Sequence, residues 1–233
     1  MIDFHTHILP AVDDGSRSID ESLLMLRALS EQNTKKVILT PHFYADNESV
    51  DSFLNRRNEA YELLKAKAPS DSPNTVLGAE VRYYAGIGHL QELKKLRIDG
   101  TKLLLLEMPF SHWTEHSLSE VLDIAGRGNI TLVLAHIERY LPFITGNIFQ
   151  RLAESGVLFQ ANASFFDGFF KSAKAIKMLK ENRIHFIGSD CHNTSERRPN
   201  MTTAFQTLNR RLGEYAAKKF FDYGNQLFLQ NQI

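Results

Sequence analysis

Seven short runs of apolar and β-branched residues punctuate the chain, and between them lie stretches whose apolar residues recur every three or four positions. The runs cover residues 2–4, 36–40, 75–79, 102–106, 130–135, 156–161 and 183–188. Short, mainly apolar and rich in β-branched residues, they read as buried parallel strands. The stretches between them read as amphipathic helices. Ile19, Leu23, Leu26 and Leu29 share one face behind a capping-box start at Ser18 and Glu21. Ser117 with Glu120 repeats that start signal, and Gly128 and Gly156 fall where helices from about 117 and 147 should stop. Repeated strand-then-helix order restricts the fold to a parallel sheet, closed or doubly wound. A length of 233 residues suits one α/β domain spanning 1–233.

The residues that follow six of the seven runs carry the chemistry. The first run leads into His5-Thr6-His7, the second into His42, the third into Glu80, the fourth into Glu107, the fifth into His136, and the seventh into Asp190-Cys191-His192. In a β/α barrel the C-terminal strand ends converge on one face, so these side chains would meet in a single pocket. His5 and His7, two apart on an extended strand, point to the same side. Glu107 follows four leucines and His136 follows Leu-Val-Leu-Ala, which draws both inward, where an unpaired charge is costly and metal coordination relieves it. Any one of these residues alone would more readily be a satisfied strand-end polar group. Asp14, in Asp13-Asp14-Gly15, can be a turn residue or a ligand. His5, His7, Asp14, His42, Glu80, Glu107, His136, Asp190 and His192 supply nine nitrogen and oxygen donors, enough for two or three ions of manganese, iron or catalytic zinc. His89, His112, His116 and His185 read as structural or solvated.

Composition removes other classes of protein. With 27 basic and 27 acidic residues the chain has no net charge to attract a nucleic-acid backbone or an anionic membrane surface. One cysteine makes no internal disulfide. No export signal or run of about 20 apolar residues is visible, so a soluble, cytoplasmic protein is expected.

Taken together, His5-Thr6-His7, Asp13-Asp14-Gly15, Thr40-Pro41-His42, Glu80, Glu107, His136 with Glu138-Arg139, and Ser189-Asp190-Cys191-His192-Asn193 resemble the polymerase and histidinol phosphatase (PHP) superfamily over nearly the whole chain. The opening Met-Ile-Asp-Phe-His-Thr-His-Ile-Leu-Pro-Ala-Val-Asp-Asp-Gly is similar to the manganese-dependent protein-tyrosine phosphatases of Gram-positive capsule and exopolysaccharide loci, the CpsB/YwqE group. That resemblance implies a distorted (β/α)7 TIM-like barrel with a trinuclear Mn²⁺ centre. It implies hydrolysis of phosphotyrosine on the tail of a bacterial tyrosine autokinase, by attack of a metal-bridging hydroxide on phosphorus. Carried over by position, His5, His7, Glu80 and Asp190 hold one ion, Glu80 bridges to a second completed by Glu107 and His136, and Asp14, His42 and His192 hold the third. Asp14 stands where histidinol phosphatases of the superfamily usually have histidine. Arg139 and Arg197 match arginines beside the substrate phosphate, and Ile137 departs from the proline common in relatives.

Three other readings compete. Cys191 and Arg197 have the Cys-x5-Arg spacing of thiolate phosphatases, although the loop between lacks glycine and contains Glu196. A PHP enzyme could instead act on histidinol phosphate or another small phosphoester, and a non-enzymatic scaffold is the third possibility. The phenylalanines at 165, 166, 169 and 170, like Phe110, His112 and Trp113, are either core packing or an aromatic lip for a tyrosyl substrate.

Overall fold

The computed structural model describes residues 1–233. Nine parallel strand segments occupy seven positions around a curled sheet. They are β1 (Ile2–Thr6), β2 (Lys36–Leu39), β3 (His42–Phe43), β4 (Asn74–Leu77), β5 (Glu80–Arg82), β6 (Leu103–Glu107), β7 (Thr131–Leu134), β8 (Leu158–Asn162) and β9 (Phe186–Gly188). Their pairing gives one sheet of order β1-β2-β4 and another of order β3-β5-β6-β7-β8-β9. The second and third expected strands are each broken once, at Thr40-Pro41 and at Gly78-Ala79. Proline has no N–H to donate, but neighbouring groups bridge the breaks: Gly78 N–H donates to Leu39 O at 2.8 Å and Glu80 N–H to Pro41 O at 3.0 Å. The ring closes between β9 and β1, where Asp190 N–H donates to His5 O (2.8 Å) and His7 N–H to Cys191 O (2.9 Å).

Inside the ring the strand alternation sorts the core. Ile2 and Phe4, Leu103 and Leu105, and Val133 and Ala135 pack together with Phe186, while Phe228 and Ile98 join the same inner cluster. Phe4 and Phe186 stack across the seam with ring centroids 3.9 Å apart. The residues of opposite parity, such as Leu104, Leu106, Leu132 and Leu134, belong to the outer core beneath the helices.

Seven helices follow in chain order: α1 (Ile19–Glu31), α2 (Val50–Lys67), α3 (Glu115–Ala125), α4 (Gly146–Glu154), α5 (Phe169–Lys180), α6 (Met201–Leu212) and α7 (Glu214–Gln230). Ser18 caps α1 as expected, its hydroxyl accepting from Glu21 N–H, while Glu21 reaches the Arg17 N–H and not that of Ser18. The cap of α3 is Thr114, three residues before the expected one; Ser117 is the far half of that capping box, and α3 ends at Ala125, ahead of Gly128. Strand–helix alternation lapses once, because β5 and β6 are joined by two 3-10 turns, Ile87–His89 and Leu93–Leu96. No helix is long and apolar enough to cross a membrane.

Candidate metal centre

Strand geometry aims the donors at the C-terminal mouth of the ring. The β1 pairing slips between Asp3 and Thr6, a local irregularity that breaks the Ile2/Phe4 alternation just before His5 and His7. Glu107 continues the inward face of Leu103 and Leu105. His136 is out of phase with Val133 and Ala135, and it adopts a left-handed backbone (φ 31°); Asp190, after β9, does the same (φ 54°). Such backbones are strained for non-glycine residues and cluster where a side chain must be re-aimed.

All nine candidate donors come together. His5 Nε2 and His7 Nε2 are 3.0 Å apart, and both face Glu80 Oε2, at 3.0 and 3.2 Å. His42 Nδ1 lies 3.1 Å from the same oxygen. On the other side of that carboxylate, His136 Nε2 is 3.0 Å from Oε1 and 3.4 Å from Glu107 Oε1. Asp14 Oδ1 faces His42 Nε2 at 3.5 Å and His192 Nε2 at 3.4 Å. Asp190 Oδ1 is 3.5 Å from His7 Nε2 and 3.6 Å from His192 Nδ1. Three sets of donor atoms are compact enough to surround a cation: His7, Asp14, His42 and His192; His5, His7 and Asp190; His42, Glu80 and Glu107. Asp14 is the exposed member of the group, at 64 %.

The donors fit divalent cations. Three histidines have Nδ1 engaged by a protein acceptor, which leaves Nε2 facing the pocket. His7 Nδ1 meets Asp13 Oδ2 at 2.6 Å, His5 Nδ1 meets Gln160 Oε1 at 3.2 Å, and His192 Nδ1 meets Asp190 O at 3.0 Å. His192 Nε2, buried, has no hydrogen-bond partner. Burial and the nearby His7 push His192 down to about 3, so its ring is the neutral form that ligates. Burial opposes charge on His136, but Glu107 and Glu80 outweigh it and lift the ring to about 9. Burial likewise opposes charge on His7, and Asp13 and Glu80 raise it well above the usual range. Burial alone would raise Glu80; His5, with the hydrogen-bonding His136 and His7, holds it well below the usual carboxylate range. A cation at such a centre takes the place of these protons.

Both expected arginines meet the centre at Asp190. Arg139 Nη2 donates to Oδ2 at 2.8 Å and Arg197 Nη2 to Oδ1 at 2.9 Å, while both guanidinium groups stay about 40 % exposed. Above the donors is a cavity of about 370 Å³, also lined by Tyr44, Arg82, Phe110 and Ser111. Phe110, 48 % exposed, packs on Tyr140 and His136 and under Arg139.

Four contributors were not among the expected site residues. Asp13 Oδ2 ties His7 Nδ1 to the His42 N–H. Gln160 Oε1 also accepts the His136 N–H at 2.7 Å, and Gln160 Nε2 donates to Asn162 Oδ1 at 3.0 Å. Asn162 Nδ2 in turn donates to Asp190 Oδ2 at 2.8 Å. Arg82 enters through strand alternation from Glu80, a signal available in Glu80-x-Arg82. The sixth run, which leads into no ligand, thus supplies Gln160 and is followed by Asn162, and both orient ligands. Cys191 is fully buried, and burial together with Asp3 pushes its thiol well above the ordinary range. Neither access nor ionisation suits it to nucleophilic attack. Phe165 and Phe166 are core, whereas Phe169 and Phe170 are exposed, so the phenylalanine cluster divides at Gly168.

Known proteins resemble this chain in sequence and in fold. Over its full length the chain is 32% identical to the tyrosine-protein phosphatase YwqE of Bacillus subtilis, covering 92% of that protein. It is 29% identical to the tyrosine-protein phosphatase CpsB of Streptococcus agalactiae, covering 99% of both chains. A chain from the crystal structures of YwqE from Bacillus subtilis and CpsB from Streptococcus pneumoniae, described as unique metal-dependent tyrosine phosphatases, superposes with a TM-score of 0.83. It is 27% identical, with 100% of this chain and 96% of that one covered. The profile of the capsular polysaccharide synthesis family CpsB/CapC matches residues 1–230, and this chain therefore belongs to that family.

Proposed function

We propose that the chain is a metal-dependent protein-tyrosine phosphatase acting in the cytoplasm on the phosphotyrosine-bearing tail of a bacterial tyrosine autokinase that regulates capsular or exopolysaccharide assembly. The observation that carries this reading is the convergence of nine nitrogen and oxygen donors beside one pocket, six of them lining it together with the two half-exposed arginines. His5, His7, Glu80 and Asp190 would hold one ion, Glu80 with Glu107 and His136 a second, and Asp14, His42 and His192 a third. Mn²⁺ is the expected ion, with Fe or Zn able to replace it. Divalent ions held by these residues would lower the pKa of a bound water and neutralise phosphoryl oxygens.

The chain's own residues do the rest. Arg139 and Arg197 each spend one N–H on Asp190 and keep others for the phosphoryl oxygens, a contribution of about 2–4 kcal/mol each in the transition state. Gln160 and Asn162 hold His5, His136 and Asp190 in place, so little reorganisation accompanies reaction. The exposed face of Phe110 gives the tyrosyl ring an aromatic wall. Phenolate, with a pKa near ~10, departs with less need of a proton than an alkoxide.

Elemental analysis of the purified protein, with turnover of a phosphotyrosyl peptide and of histidinol phosphate measured with and without Mn²⁺, tests the reading. Bound metal and Mn²⁺-dependent turnover of the peptide in preference to histidinol phosphate is the expected result. Absence of bound metal together with no rescue by Mn²⁺ refutes it.

A further inference from the structure

A second depression adjoins the metal pocket and shares Arg139 with it. Its volume is about 440 Å³, and its walls are Leu141, Phe165, Phe170, Lys171 and Lys174 beside Arg139, with Glu138 and Ser164 completing the lining. It runs between the 3-10 turn Ile137–Tyr140 and the first turns of α5.

Three features are unusual for an idle surface. Phe169 and Phe170 are adjacent, 70% and 86% exposed, and they stand at the start of a helix where polar residues would cost nothing. Lys171 and Lys174 lie within the first two turns of α5, whose amino end disfavours cations. Arg211 adds a further cation over the Phe169 ring, 5.2 Å from its centroid. Neither Lys171 nor Lys174 is held in an ion pair by the carboxylates nearby. Glu138, half-buried in the lining, has both oxygens 3.3 Å from the Asn162 N–H, and the exposed Asp167 accepts the Gly168 N–H.

We propose that this groove receives the peptide flanking the phosphotyrosine, and that it selects a segment bearing Asp or Glu side chains. The carboxylates pair with Lys171 and Lys174, while an apolar side chain of the segment rests on Leu141, Phe165 and Phe170. Arg139 forms the shared wall, so a chain leaving the metal pocket passes directly into the groove. This inference rests on the phosphotyrosine reading above and adds the sequence context of the substrate.

The test uses the full-length Mn²⁺-loaded protein, the double variant Lys171→Glu/Lys174→Glu, and a control variant, Lys177→Glu/Lys180→Glu, altered farther along the same helix. Turnover is measured on p-nitrophenyl phosphate and on phosphotyrosyl peptides with Glu, Ala or Lys flanks. The groove variant should keep p-nitrophenyl phosphate turnover within about 2-fold and lose 10-fold or more in kcat/KM on the Glu-flanked peptide, chiefly through KM. Its Ala-flanked peptide should change little, and its Lys-flanked peptide should improve; the control variant should not discriminate among flanks. Equal effects on all three peptides, or none, would overturn the proposal. Fluorescence anisotropy of the unphosphorylated Glu-flanked peptide reads the groove without chemistry: weaker binding by the groove variant alone supports the proposal, and equal binding by all three proteins overturns it. If the wild-type protein hydrolyses no phosphotyrosyl substrate, the phosphatase reading falls while the anisotropy still decides the groove.

Discussion

Gly188 and His5 sit so close that a methyl group on the glycine would come within 2.5 Å of the histidine's Cβ and 2.8 Å of its backbone nitrogen. Both neighbours are rigid parts of the β9–β1 seam, so neither can swing aside. Gly188→Ala should therefore displace His5, cost about 1–3 kcal/mol through overpacking, and lower bound metal and kcat/KM at least ~10-fold, the loss of a ligand's position. Gly128→Ala, where no atom lies within 4 Å, is the control and should match wild type. Metal content per chain and turnover together decide the matter.

Gln160 serves two ligands through one oxygen. Gln160→Leu keeps the volume but leaves the His136 N–H buried without an acceptor, which costs about 1–3 kcal/mol in urea denaturation. It also frees the His5 ring, and metal affinity should fall about 10–100-fold in a titration. Unchanged affinity would mean that Gln160 packs without orienting.

Arg139→Ala and Arg197→Ala should each lower kcat on a phosphotyrosyl peptide by about 10²-fold, with circular dichroism unchanged. Arg139→Lys should recover only part of the loss, because an ammonium cannot span Asp190 and a phosphoryl oxygen as a planar fork does. Full recovery with lysine would reduce the role of Arg139 to charge alone.

Cys191→Ser should retain activity within about 3-fold, and iodoacetamide should leave the native enzyme untouched, since the thiol is buried and protonated. A chelator should abolish turnover and Mn²⁺ restore it. Inactivation by the alkylator alone would return the covalent mechanism to consideration.

His185 gives the protein an acid-sensitive point away from the metal centre. Burial pushes its ring down to about 4, and Nδ1 accepts the Phe159 N–H at 3.0 Å, which requires that nitrogen to be unprotonated. On unfolding the ring returns to about 6.5. Between these values the unfolded chain binds a proton that the folded chain does not, so stability falls as pH drops from 6.5 toward 4 and is unaffected above that window. His185→Asn keeps an acceptor and removes the titration. Relative to this variant, wild type should lose about 1 kcal/mol between pH 7 and pH 5, allowing for partial exposure, in paired urea melts. A pH-independent difference would assign the effect to other groups.

The site was legible in sequence because its donors are polar residues placed directly after apolar runs, where strand direction and chemistry coincide. His42, Glu80 and Glu107 needed nothing more. Gln160 and Asn162 escaped notice because they lie inside a strand, and their partners come from neighbouring strands across the ring, which spacing along the chain does not encode. Arg82 could have been found from its alternation with Glu80. Pro41 and Gly78 signal the two strand breaks, but sequence does not say that pairing resumes at His42 and at Glu80. The α3 start illustrates a closer ambiguity: Thr114 and Ser117 both suit a cap, and the structure uses them as two halves of one box. The division between Phe166 and Phe169 follows from Gly168, whose positive φ of 71° turns the chain out of the core before α5 begins.

The seam between the last strand and the first has a consequence for the molecule as a machine part. The amide and carbonyl groups that fasten it belong to His5, His7, Asp190 and Cys191, so three of its four fastening residues also present candidate donors to the mouth. Ring closure and donor placement share one clasp. A perturbation that loosens the barrel there dismantles the chemistry with it, and one that grips the donors latches the barrel shut.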